Sequence, residues 1–324
     1  MNVNRSNVSL SFNDYVGHVL FGGQGYAICF GSGLLLLTIL LDKSLRQRKE
    51  MRIIAGQAAA NLLSGIGSAW LSTYRIVLLI QGLQSTPSSP FNCVILPQVF
   101  LAYMGGYSSA LMNLVVSIDR YIAISQSLKY RSMGIEYANR MLTVVAIVAL
   151  ATLSAMFLSS YFGLPHQENL DRMCTGVIFP AWFLKYHYSF VTGVNLLSIA
   201  IYMGVYFFYR RLMKQTAPQS GSDDEVQRSA KQRRLTVTLG IITISTFIFY
   251  VCPTTFLAVS TWWSKPVPQQ YTFIVAAMTR TCTLINFVIY VVRQREIRQG
   301  MWKLLVCRIH ENNHVTAWIS THQS

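Results

Sequence analysis

Residues 94–124 read VILPQVFLAYMGGYSSALMNLVVSIDRYIAI, and no charged side chain interrupts the run before Asp119. A helix rises 1.5 Å per residue, so about 20 apolar residues cross the hydrocarbon of a bilayer. This run is long enough. Working outward, six more blocks of the same kind fall at 17–41, 53–81, 141–162, 187–208, 235–263 and 271–292, with short polar segments between them. In hydrocarbon each backbone donor and acceptor must be satisfied within its own segment, so every block is read as a helix. The weak ten-residue alternation of a membrane barrel is absent. The predicted fold is an all-α membrane protein, a bundle of seven transmembrane helices.

Composition agrees. The 324 residues are 52% hydrophobic and 12% charged, whereas soluble domains carry about 25% charged residues. A net charge of +15 would suit a nucleic-acid binder only if the basic residues formed a solvated face. They lie instead in the segments between blocks, so no nucleic-acid partner is expected. The first block is too long for a signal-peptide core and is followed by charges, not by a small-residue cleavage site, so it is read as a retained span.

Five Lys and Arg fall in residues 42–52, four at Arg120, Lys129, Arg131 and Arg140, seven between Arg210 and Arg234, and five after the seventh block. These make 21 of the 27. By the positive-inside rule the amino terminus is expected outside and the carboxyl tail in the cytoplasm, in the plasma membrane. Two sequons, Asn4-Arg5-Ser6 and Asn7-Val8-Ser9, lie in the segment this orientation exports and are glycosylation candidates. Three parts follow: an extracellular segment 1–16, the membrane domain 17–292, and a cytoplasmic helix and tail 293–324.

No internal repeat is evident, and an odd number of spans argues against the inverted repeats of secondary transporters. Residues 215–231, with Pro218, Gly221 and the acidic run Asp223, Asp224 and Glu225, read as a mobile cytoplasmic loop. After the seventh block, Ile297, Met301, Leu304 and Leu305 follow helical spacing among basic residues, the pattern of a helix lying in the membrane interface. Cys307, just beyond, is either a palmitoylation site or a free thiol.

Asp119-Arg120-Tyr121 closes the third block at its predicted cytoplasmic end, within Ser117-Ile118-Asp119-Arg120-Tyr121-Ile122-Ala123-Ile124, and Ser127-Leu128-Lys129-Tyr130-Arg131 follows. This stretch resembles the signature of rhodopsin-like G-protein-coupled receptors. The resemblance implies that Arg120 is held by Asp119 at rest and swings out to meet a heterotrimeric G protein; the plainer alternative is an arginine anchoring a helix end.

Further matches cover most of the chain. Phe247 and Pro253 stand six apart, as do the family's aromatic transmission residue and kink proline; a mid-span proline is either an activation hinge or a static bend. Asn286-Phe287-Val288-Ile289-Tyr290 resembles the family's Asn-Pro-x-x-Tyr, which makes Tyr290 the tyrosine expected to rotate inward on activation. Asn61 stands where the family's sodium-binding aspartate would be, and without that charge no sodium site is expected. Ser32, Val251 and Arg233 are also departures from the family pattern. With this erosion the sequence is similar to the serpentine chemoreceptors of nematodes, the Srsx group. Cys93 and Cys174 match the family's disulfide, although Cys93 precedes Arg120 by two residues more than usual, which predicts an irregular top to the third helix.

Arg280 lies nine positions into the seventh block, too deep to snorkel outward. Either it engages an acidic or carbonyl-bearing ligand, with Tyr103 and Tyr107 as neighbours, or it makes an internal bond to one of those tyrosines or another polar group. Arg75, Lys185 and His18, nearer span ends, read as interface anchors. Neither a cofactor nor a metal is expected. There is no HExxH pair, GxSxG elbow or intramembrane carboxylate cluster to suggest an enzyme. The expectation is a receptor in the membrane lipid that couples an extracellular ligand, a chemosensory small molecule or a peptide, to a G protein. A transporter or channel is the competing class.

Overall fold

The computed structural model describes residues 12–163, 170–174, 178–215, 237, 240–263 and 269–306. Seven of its helices are long and apolar enough to cross a membrane. They are α1 (Phe12–Leu41), α3 (Lys49–Ile80), α5 (Pro97–Ser125), α7 (Ile135–Gly163), α8 (Ala181–Gln215), α9 (Gly240–Trp262) and α10 (Gln269–Arg293). α1, α7, α8 and α10 cover their predicted blocks, whereas α3 stops one residue short of its block, α5 starts three residues late and α9 is described from Gly240. Most outrun their blocks by several residues because the apolar run marks only the hydrocarbon section, while hydrogen bonding carries the helix into the polar layer.

Short elements join them. Between α1 and α3, α2 (Lys43–Arg46) is capped by Asp42, whose side chain accepts from the Ser44 and Leu45 amides. α6 (Ser127–Ser132) follows α5, and α11 (Arg295–Leu305) follows α10. α4 (Pro90–Val94) precedes α5. The predicted third span is therefore broken: the chain is extended at Leu96, and Pro97, which has no amide hydrogen to leave unpaired, opens the new helix. A two-residue ladder, β1 (Pro87–Ser88) with β2 (Leu170–Asp171), lies at the same end.

The bundle is apolar outside as well as inside. Phe30, Ile147, Phe162, Phe207 and Trp263 are all more than 60% exposed, which suits a hydrocarbon solvent and no aqueous one. One core cluster, with Ile39, Met51 and Ile54, lies among α1, α3 and α11; a second, with Tyr107, Met156 and Phe183, lies among α5, α7 and α8. Ile297 and Met301 of α11 are buried in the first, while Trp302 and Leu305 face outward. α11 thus docks on the bundle instead of resting all its apolar side chains in the interface. Its Gly300 permits the approach, since a Cβ there would lie 2.6 Å from Thr38 Cγ2.

Inside α9 the turn Phe247–Val251 is π-helical, with the Cys252 amide bonded to the Phe247 carbonyl five residues back. Pro253 lacks a donor for the regular ladder, and the wider turn absorbs that loss.

Candidate functional site

α3 and α5 cross with almost no side chain between them. A Cβ on Gly67 would sit 2.3 Å from the Ala102 nitrogen, and one on Gly105 would sit 2.2 Å from the Ser64 nitrogen. Only glycine fits at such backbone contacts. Beside this crossing, toward the end of the bundle that carries β1 and β2, a cavity of about 350 Å³ opens among α1, α3, α5, α8, α9 and α10.

Tyr103, Tyr107 and Arg280 all line it, so the three residues singled out from sequence do come together. Arg280 does not bond the tyrosines. Its Nε donates to Ser68 Oγ and its Nη1 to the Ala276 carbonyl, both at 3.3 Å, and the ring of Phe21 lies 4.3 Å from its Cζ. Tyr107, fully buried, shares a 2.8 Å hydrogen bond with His187 Nδ1, and Tyr103 packs edge-on against His187 and Phe179. His187 and Ser68 escaped the sequence reading. The only available signals were a polar residue at a span's start and one small hydroxyl among several.

At the same end, Cys93 and Cys174 form the expected disulfide, with Cα atoms 5.6 Å apart. Arg75 is no interface anchor. Its Nε donates to the Met173 carbonyl at 2.9 Å and its Nη2 to the Cys174 carbonyl at 3.1 Å. Cys174 takes a left-handed backbone (φ 56°) in this turn. Disulfide and guanidinium together hold the loop segment against α3 and α4.

Midway through the bundle, Asn61 Oδ1 accepts from Ser109 Oγ at 2.9 Å and from Gln57 Nε2 at 3.3 Å. Ser245 donates to Asn286 Oδ1 at 2.9 Å. The polar groups of these two sets are amides and hydroxyls, with no carboxylate among them.

At the opposite end, Asp119 and Arg120 are ion-paired and 2% and 5% exposed, which leaves little water to screen them. Arg120 Nε donates to Asp119 Oδ2 at 2.9 Å. The Tyr130 hydroxyl, from α6, accepts from Arg120 Nη2 at 3.2 Å and donates to Asp119 Oδ1 at 3.0 Å. Burial pushes the Tyr130 phenol well above its ordinary range, so it stays a donor. Lys49 secures α6: it donates to the Tyr130 and Met133 carbonyls and lies 3.7 Å over the Tyr130 ring. Arg48 and Glu296 pair α3's start with α11.

Other expected residues are placed as follows. Tyr290 is already buried, lining a small cavity with Tyr202, Asn113 and Ser117. Tyr121 is 48% exposed on the bundle's flank. Phe247, singled out by its six-residue spacing from Pro253, lies on the outer side of α9. It is 45% exposed, while Val251 and Pro253 are buried. The extra residue in the π-helical turn rotates the preceding helix by about 100° relative to uniform α-helical counting. Asn4, Asn7, Arg233 and Cys307 lie outside the described residues.

Comparison with known proteins agrees with this architecture. The family described as 7 transmembrane receptor (rhodopsin family) matches residues 31–292. Trace amine-associated receptor 6 of Homo sapiens is 24% identical over 265 residues, covering 77% of this chain and 74% of the relative. Galanin receptor 2a of Danio rerio is 24% identical over 217 residues, covering 64% of this chain and 57% of the relative. Seven membrane-length helices, the Asp119–Arg120 pair closing the third of them and a family match running from the first helix through the seventh place the chain in one group: it belongs to the rhodopsin family of seven-transmembrane receptors.

Proposed function

We propose that a ligand entering the cavity at the disulfide end biases the bundle toward a state whose opposite end engages a heterotrimeric G protein. The observation that carries this is the buried Asp119–Arg120–Tyr130 cluster, remote from the cavity and closed on itself. A guanidinium there must be paired, so exchanging Asp119 and Tyr130 for a G-protein acceptor is a two-state switch. A ligand drives it only through unequal affinity for the two states, worth about 1–3 kcal/mol.

In this reading the disulfide end faces outside, in the plasma membrane, with residues 1–16 and their sequons Asn4 and Asn7. Residues 293–324, with Cys307 as a palmitoylation candidate, face the cytoplasm. Tyr121 and Tyr290 belong to this switch with Asp119 and Arg120, and Phe247, Pro253 and Asn286 form the hinge that moves with it. A cavity of about 350 Å³, at the small end of ligand sites, suits a chemosensory small molecule better than a peptide. The nematode-like erosion of the family pattern supports the same choice.

The test is ligand-dependent G-protein activation in cells. Arg120→Ala should abolish activation while surface expression persists. Ligand uptake with no second-messenger change in the unaltered protein would refute the receptor reading.

A further inference from the structure

Arg280 is a cation with no anion among the described residues that line its cavity. The residues lining the cavity come from stretches 15–41, 51–118, 172–222 and 226–295, and none of these contains an aspartate or glutamate. A guanidinium has five donors. Among the described residues, those of Arg280 reach two neutral oxygens, each at 3.3 Å, longer than the roughly 2.7–2.9 Å of a charge-assisted bond. Phe21 covers one face of the group without neutralising it. Arg75, the other guanidinium on that side of α3, is committed to the Met173 and Cys174 carbonyls and only adds positive potential.

A charge in this setting is costly unless an anion arrives. Building on the receptor reading, we propose that the cavity takes a small ligand bearing a carboxylate, held by the Arg280 guanidinium, with an apolar or aromatic body against Tyr103 and Tyr107. A carboxylate matches the planar fork of arginine, and among the described residues lining the cavity Arg280 is the one Lys or Arg for it to balance. An amine, the ligand kind printed in the name of the human relative, would bring a second cation to a cavity whose lining holds no carboxylate. The two tyrosines offer ring faces and edges to an uncharged body.

The experiment measures thermal stabilisation of the purified full chain in lipid nanodiscs by 3-phenylpropanoate, its amide and 3-phenylpropylamine. The acid should raise Tm, at concentrations about tenfold or more below those at which amide or amine acts. Arg280→Gln should erase that preference, and Arg280→Lys should keep part of it. Equal stabilisation by all three, none by the acid, or an acid preference surviving Arg280→Gln would each overturn the proposal.

A second readout guards against a structural role. Without ligand, Arg280→Gln should melt at or above the unaltered protein, because it removes an unpaired charge; a large fall in its Tm would overturn the proposal as well. A parallel G-protein recruitment assay separates this inference from the receptor reading. Acid-selective stabilisation with no recruitment sinks the receptor reading and leaves this one standing. Recruitment without preference for acids does the reverse.

Discussion

The hydroxyl of Tyr130 bridges the Asp119–Arg120 pair, accepting from Arg120 Nη2 at 3.2 Å and donating to Asp119 Oδ1 at 3.0 Å. Tyr130→Phe keeps the ring under Lys49 but removes both bonds. The paired resting state should lose about 1 kcal/mol, seen as roughly fivefold higher ligand-independent G-protein activity. Unchanged basal activity at equal surface expression would mean that Tyr130 does not latch the pair.

The same residue makes a prediction about pH. Burial raises its pKa, so the folded protein holds the neutral phenol. The bonds it makes are intact below the ordinary tyrosine range and are lost only on the alkaline side. Basal signalling should therefore show no step that depends on Tyr130 across roughly pH 6 to 9. A step in that window that vanishes in Tyr130→Phe would contradict the assignment.

Two adjacent glycines provide a sharp packing test. Gly105 touches the Ser64 backbone, whereas a Cβ on Gly106 meets nothing within 4 Å. Gly105→Val should cost about 3 kcal/mol or more and abolish recovery of monodisperse protein. Gly106→Ala should be recovered at normal yield. Size-exclusion chromatography after extraction reads both, and similar yields would show that α3 and α5 do not cross this closely.

Arg75→Gln removes two charge-assisted bonds from the turn that ends at Cys174. With the disulfide intact, amide hydrogen exchange at residues 170–174 should speed up about tenfold. Exchange at the unaltered rate would mean that the disulfide alone fixes the segment.

Phe247 and Val251 should respond in the opposite order to their size. Phe247→Ala, on the outward face, should shift stability by no more than about 0.5 kcal/mol. Val251→Ala, at 1% exposure, should cost about 1–2 kcal/mol. A larger effect at Phe247 would place it in the bundle interior.

Some irregularities were legible in one dimension. The two extra residues between Cys93 and Arg120 foretold a disturbed third span, and the structure resolves it into α4, an extended Leu96 and a new start at Pro97. The match of Asp119-Arg120-Tyr121 located the ion pair. By contrast, Pro253 announced a bend but not its form. The π-helical turn spends one residue that no apolar count registers, and so the spacing of Phe247 from Pro253 did not tell which face Phe247 takes.

What the sequence determined by itself was the number, position and helical nature of the seven spans, because hydrocarbon forces each segment to close its own hydrogen bonds and the length of an apolar run can be read directly. What only the tertiary structure decided was partnership: Arg280 with Ser68, 212 residues away, Arg75 with the Cys174 turn, and Tyr130 with Asp119. Such pairings depend on how far each helix is rotated about its axis and how closely it approaches its neighbours. Backbone contacts at Gly67 and Gly105 set those quantities, and they exist only once the helices have met.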